Sequence, residues 1–130
     1  MNTLKTISIF VVLLGTSISV QAQNLRVPQI TIAQDVQDRQ PIKKDTAFSA
    51  NIGSVYCYTL IEGAIDSTKI FHVWHYKEEE KARIPLTVAA KKWRTWSSKS
   101  ILPSWTGPWR VMIEDSEGNI LATKSFTIKN

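Results

Sequence analysis

Short runs of β-branched and aromatic residues recur along the chain with turn signals between them, and no window carries a convincing 3.6-residue apolar period. That pattern constrains the fold more than any other feature. Ser54 to Ile61 (SVYCYTLI), Lys69 to Tyr76 (KIFHVWHY), Ala82 to Val88, Lys91 to Ser97 (KKWRTWS), Trp109 to Glu114 (WRVMIE) and Ile120 to Ile128 all read as strands. A first strand begins around Ile30 and Ile32 and turns at Asp38-Arg39-Gln40-Pro41, where a proline lacking an N–H belongs at a strand end or edge. Lys43 to Asp45 reads as a polar loop, Lys77 to Lys81 as a charged, solvated hairpin tip, and Asp115 to Asn119 as a turn with Gly118 and Asn119 free to take positive φ. About seven strands at regular spacing predict an all-β fold, an antiparallel immunoglobulin-like β-sandwich. Cys57, Trp74, Val111 and Ile113 are expected in its core, with Tyr56 as the alternative to Cys57.

The N-terminus reads as a separate element. Lys5 is a short positive region, Ile7 to Leu14 (ISIFVVLL) is an apolar run well short of a membrane span, and Val20-Gln21-Ala22 fits the small-x-small rule of signal peptidase. The expectation is a signal peptide over residues 1–22, removed on export, and one domain over residues 23–130 with no integral span. The destination is the periplasm or the extracellular space. Cys57 is the only cysteine, so no intrachain disulfide is possible and the exported domain depends on packing alone. Within its strand, Cys57 reads as a small buried hydrophobe.

The formal net charge of the chain is +5, and loss of Lys5 lowers it by one. The basic residues are scattered, which argues against a nucleic-acid partner. His72 and His75, the only histidines, are three apart and face opposite sides of a strand, so they make no metal pair. No metal or cofactor is expected. Ser97-Ser98-Lys99 lacks the strand-to-helix elbow that exposes a nucleophile, and Glu78-Glu79-Glu80 is too local for an acid/base pair across a cleft. The chain therefore reads as a non-enzyme. The alternatives are a small periplasmic hydrolase or transferase using His72 or His75 with a serine or carboxylate, and a purely structural domain of a larger envelope complex.

Tryptophan is the informative residue. There are five, and four of them (Trp93, Trp96, Trp105 and Trp109) fall in one segment beside Arg94, Lys99 and Arg110. Some of these indoles must close a disulfide-free core. Trp109, Val111 and Ile113 share a core face, which turns Arg110, Met112 and Glu114 outward. Trp93 and Trp96 face opposite ways. If Trp93 is core, Arg94 and Trp96 form an exposed cation–indole pair near the Trp105 loop; if Trp96 is core, Trp93 is the surface ring. The first arrangement is favoured. Trp105, in the Pro-Gly loop, either faces solvent or folds back as a lid. The candidate binding residues are thus Arg94, Trp96, Lys99, Trp105 and Arg110, suited to an envelope protein or a glycan.

The segments Val55-Tyr56-Cys57-Tyr58-Thr59, His72-Val73-Trp74, Trp93-Arg94-Thr95-Trp96-Ser97-Ser98-Lys99 and Ile101-Leu102-Pro103-Ser104-Trp105-Thr106-Gly107-x-Trp109 resemble, in this order, the motifs of the bacterial domain family DUF2914. Asp38-Arg39-Gln40-Pro41 resembles that family's DREP turn, with Gln in place of Glu. The resemblance spans roughly residues 30–128. It implies an envelope-exposed accessory domain, with no catalytic residues to carry over.

Overall fold

The computed structural model describes residues 6–15 and 24–130. Lys5 and the Val20-Gln21-Ala22 cleavage motif lie outside the described residues. Residues 6–15 take no regular secondary structure, and their apolar side chains are exposed. No helix among the described residues is long and apolar enough to cross a membrane.

Nine strands follow: β1 (Arg26–Gln37), β2 (Gln40–Lys44), β3 (Ala47–Ser49), β4 (Ser54–Glu62), β5 (Thr68–Tyr76), β6 (Glu79–Val88), β7 (Lys92–Ser100), β8 (Gly107–Asp115) and β9 (Ile120–Lys129). They form two sheets, one ordered β2-β1-β4-β7 and the other β3-β9-β8-β5-β6. The expected count of about seven is therefore two short. Lys43 and Lys44 belong to β2 rather than to a loop, and the three-residue β3 carries too little pattern to be read. Pairing is not purely antiparallel either, because β3 runs parallel to β9. Two tips are tighter than expected. Only Asp38-Arg39 and Lys77-Glu78 stand between paired strands, all four at positive φ, as the two-residue turns that match strand twist require.

The core lies between the sheets. Ile32, Val55, Cys57 and Ile61 from the first sheet meet Ile70, Trp74, Trp109, Val111, Ile113, Phe126 and Ile128 from the second, all essentially without exposed surface. Cys57, Trp74, Val111 and Ile113 are thus core residues, and Tyr56 points to the other face. Burial pushes the Cys57 thiol far above its ordinary value, so it stays a neutral packing group.

β4 is buried on both faces. Its inner residues meet the opposite sheet, but Tyr58 and its neighbour Ala33 on β1 face outward and are also buried. The cover is the β1–β2 hairpin. Tyr58 lies opposite Thr31, yet its hydroxyl donates to the carbonyl of Arg39 at 2.8 Å. Eight residues of straight strand would carry Arg39 roughly 26 Å beyond Thr31, so the hairpin must fold back over the sheet. β1 keeps no β4 partner beyond Ala33, and Lys43, across β2 at that level, takes φ 53°. Trp96 on β7 stacks beside Tyr58, with ring centroids 6.0 Å apart. Pro41 lies in β2 and Pro85 in β6, each an edge strand.

Trp93 faces inward on β7 and packs against the core, while Trp96 is partly covered on the outer face. Trp93→Ala should therefore destabilise the domain by about 2–4 kcal/mol in urea unfolding. Trp96→Ala should cost about 1 kcal/mol, through the lost stack on Tyr58.

Candidate functional site

Strand alternation sends His72 inward and His75 outward. His72 has no exposed surface, and its ring nitrogens are both engaged: Nδ1 lies 2.6 Å from Ser97 Oγ and Nε2 lies 3.1 Å from Thr59 Oγ1. The remaining bonds fix where the protons sit. Thr59 gives its hydroxyl proton to the Thr95 carbonyl at 3.0 Å, so its oxygen accepts from Nε2–H. Trp74 Nε1–H donates to Ser97 Oγ at 3.2 Å, and Ser97 donates to Nδ1. One chain of donors therefore runs from the Trp74 indole through Ser97, the imidazole and Thr59 to the Thr95 carbonyl. It links β5 of one sheet to β4 and β7 of the other. The imidazole is neutral and carries its proton on Nε2. Desolvation lowers the His72 pKa to about 3.

A serine–histidine contact is thus present, as the hydrolase alternative requires, but it lies inside the core rather than at the floor of an open cleft. Ser97 is itself buried. Among the described residues no group of three His, Cys, Asp or Glu side chains could hold a metal ion.

The five candidate binding residues do not share one surface. Arg94 and Trp96 lie on the outer face of the first sheet, opposite Leu60 and Tyr58. Arg110 lies on the outer face of the second sheet, ion-paired to Glu78 at 2.6 Å beside a cavity of about 170 Å³ that His75, Lys77 and Ser125 also line. Glu114 faces outward, as alternation along β8 predicts, and there it is largely covered and paired with Arg83. Only Lys99 and Trp105 meet. The Lys99 ammonium lies 5.3 Å from the Trp105 ring centroid, and Lys81 approaches the same ring at 5.1 Å.

The Trp105 loop is folded back as a lid over one end of the sandwich. Trp105 N–H donates to the Leu102 carbonyl, Trp109 Nε1–H to the Trp105 carbonyl at 3.0 Å, and the Tyr76 hydroxyl to the Thr106 carbonyl at 2.7 Å. The indole continues an aromatic series through Tyr76, Trp109 and Phe126 into the core. Around this end, the three consecutive glutamates each take a different base: Glu78 pairs with Arg110, Glu79 with Lys81 and Glu80 with Arg83. They are a set of ion pairs and not a free acidic tip. Lys77, over the Tyr76 ring, and Lys99 have no carboxylate partner among the described residues.

Residues 67–128 match the model of a family described as "Protein of unknown function (DUF2914)". That is the family the sequence motifs indicated. The DUF2914 match runs from just before β5 to the end of β9, so it takes in most of the second sheet but only β7 of the first. The HVW, WRTWSSK and LPSWTGPW motifs fall within it, while VYCYT and DRQP lie before it. No curated protein matches the chain. Three of these segments, VYCYT, HVW and WRTWSSK, meet in one network. His72, Trp74, Thr95 and Ser97 supply four of the five members of the proton-ordered chain, and VYCYT supplies the fifth, Thr59. Sequence parity places His72 inward, but it does not reveal which hydroxyls meet it across the sandwich.

Ser97→Ala would orphan both His72 Nδ1 and Trp74 Nε1–H, and should cost about 2–4 kcal/mol in urea unfolding. Because the folded His72 pKa is depressed, the unfolded chain binds the extra proton first, and stability falls as pH drops below about 6.5. Between pH 7 and pH 5 the loss should be about 2 kcal/mol. Urea midpoints across that range measure it, and His75→Gln should leave the decline in place.

Proposed function

We propose that this domain is a non-catalytic binding module of the bacterial envelope, exported after removal of residues 1–22, and that it engages a protein or glycan through the end of the sandwich built around Trp105. The observation that carries this reading is the partly exposed Trp105 indole flanked by the Lys81 and Lys99 ammonium groups. The loop that presents it is already held by three hydrogen bonds to carbonyls, so ordering it on binding costs little. Arg94 with Trp96, and Arg110 with Glu78, belong to other faces and are secondary candidates.

The strand arrangement supports a finer reading of the fold as immunoglobulin-like. β1, β4 and β7 stand where strands A, B and E would be, β9, β8 and β5 where G, F and C would be, and β6 extends the second sheet beside C. The ends of such a sandwich carry its loops, and Trp105 lies at one of them.

A pull-down from envelope extract with a glycan array alongside tests the function. Retained material should fall at least about fivefold with Trp105→Ala, a loss of about 1 kcal/mol in binding. Arg94→Ala and Trp96→Ala should leave it within about twofold. Capture that depends on Arg94 and Trp96 instead would move the site to the outer face of the first sheet. Absence of any partner would favour a purely structural role.

A further inference from the structure

We infer that the Trp105 end takes a carboxylate-bearing saccharide, with a sugar ring against the indole and its acid group between lysine ammonium groups; this rests on the proposed binding role of that end. Charge complementarity is the argument. Lys81 and Lys99 both approach the Trp105 ring, so their ammonium groups lie within about 10 Å of each other, two like charges beside one indole. Lys77 adds a third over Tyr76, whose ring centroid is 6.2 Å from that of Trp105.

The acids that could neutralise this end are already committed. Glu78 is held by Arg110 and Glu80 by Arg83, while Glu79 reaches only Lys81. Lys77 and Lys99 are left facing the aromatic pair without a carboxylate. An incoming carboxylate at the Trp105 ring finds Lys99 free of any carboxylate and Lys81 shared with the exposed Glu79, with Lys77 beyond them over Tyr76; a bond to Lys99 displaces no existing ion pair and helps repay the desolvation of the acid. The indole favours a pyranose over an extended acidic peptide. The apolar C–H face of a sugar stacks on an aromatic ring, and a hexuronate carries its carboxylate at the rim of that same ring, within the span of the lysines. Trp105 is fixed by its backbone bonds, Trp109 and Tyr76, so the platform exists before the ligand arrives.

The test is titration of the purified protein with tetragalacturonate and, separately, with a neutral galactose tetramer, read by tryptophan fluorescence and calorimetry. Tetragalacturonate should bind at least about tenfold more tightly than the neutral tetramer, and its affinity should fall as salt is raised. Lys99→Gln and Lys77→Gln should each weaken it about threefold or more, with unchanged thermal midpoints. Trp105→Phe, which keeps a ring in the lid, should also weaken it. Equal binding of the two tetramers, or no binding of the acidic one at millimolar concentration, would overturn the inference. If capture from envelope extract still depends on Trp105 while tetragalacturonate does not bind, the binding role stands and the acidic-saccharide ligand falls. If neither interaction depends on Trp105, both fall.

Discussion

The two sheets meet around a neutral imidazole, and much of the interior is arranged to keep it neutral. A histidine with no exposed surface cannot carry charge there without a partner acid, and among the described residues its ring nitrogens meet only hydroxyls. Instead, each ring nitrogen has a hydroxyl, and each hydroxyl has a further partner in Trp74 or the Thr95 carbonyl. The chain of bonds has a single polarity. Reversing the tautomer would require both hydroxyls to turn: Thr59 would withdraw its proton from the Thr95 carbonyl to donate to Nε2, and Ser97, accepting from both Nδ1–H and Trp74 Nε1–H, would lose the acceptor for its own proton. The network is therefore satisfied as a unit, which gives the apolar core a unique register that hydrophobic contacts alone specify less sharply.

That unit also accounts for the distribution of the sequence motifs. Residues of HVW and WRTWS that read as a run of aromatics and hydroxyls, open to a binding or catalytic interpretation, are divided by strand parity into two groups. Thr95 and Ser97 face or serve the core; Arg94, Trp96 and Ser98 face outward. The chemistry available for recognition is then displaced to the Trp105 loop, where the aromatic series leaves the core and meets lysines from β6 and β7.

The positions of β4 to β9, the core face of β8, the opposed histidines and the inward burial of Cys57 were legible because each depends on local alternation of side chains. The resemblance to DUF2914 was legible from the motifs. What escaped depends on chain geometry beyond one strand. The folding back of the β1–β2 hairpin over Tyr58 is set by a kink near Lys43, and the separation of Arg94 and Trp96 from Trp105 is set by how a loop crosses the end of the sandwich. The partner of Glu78 comes from β8 and those of Glu79 and Glu80 from different positions along β6, so a run of like charge gave no sign that its members diverge.

The sheet edges carry a further consequence. The first sheet ends on one side in β2, where Pro41 removes a ladder donor, and the second ends in β6, where Pro85 does the same; its opposite margin is closed by the three-residue parallel strand β3. These three margins offer another strand a poor template and limit edge-to-edge pairing there, whereas β7 on the far side of the first sheet is a longer edge without proline. They also narrow the ways a partner can attach. Strand addition along β2, β3 or β6 is discouraged by the backbone itself, which leaves β7, nine residues long and without proline, as the one long edge of the two sheets along which a partner strand could add.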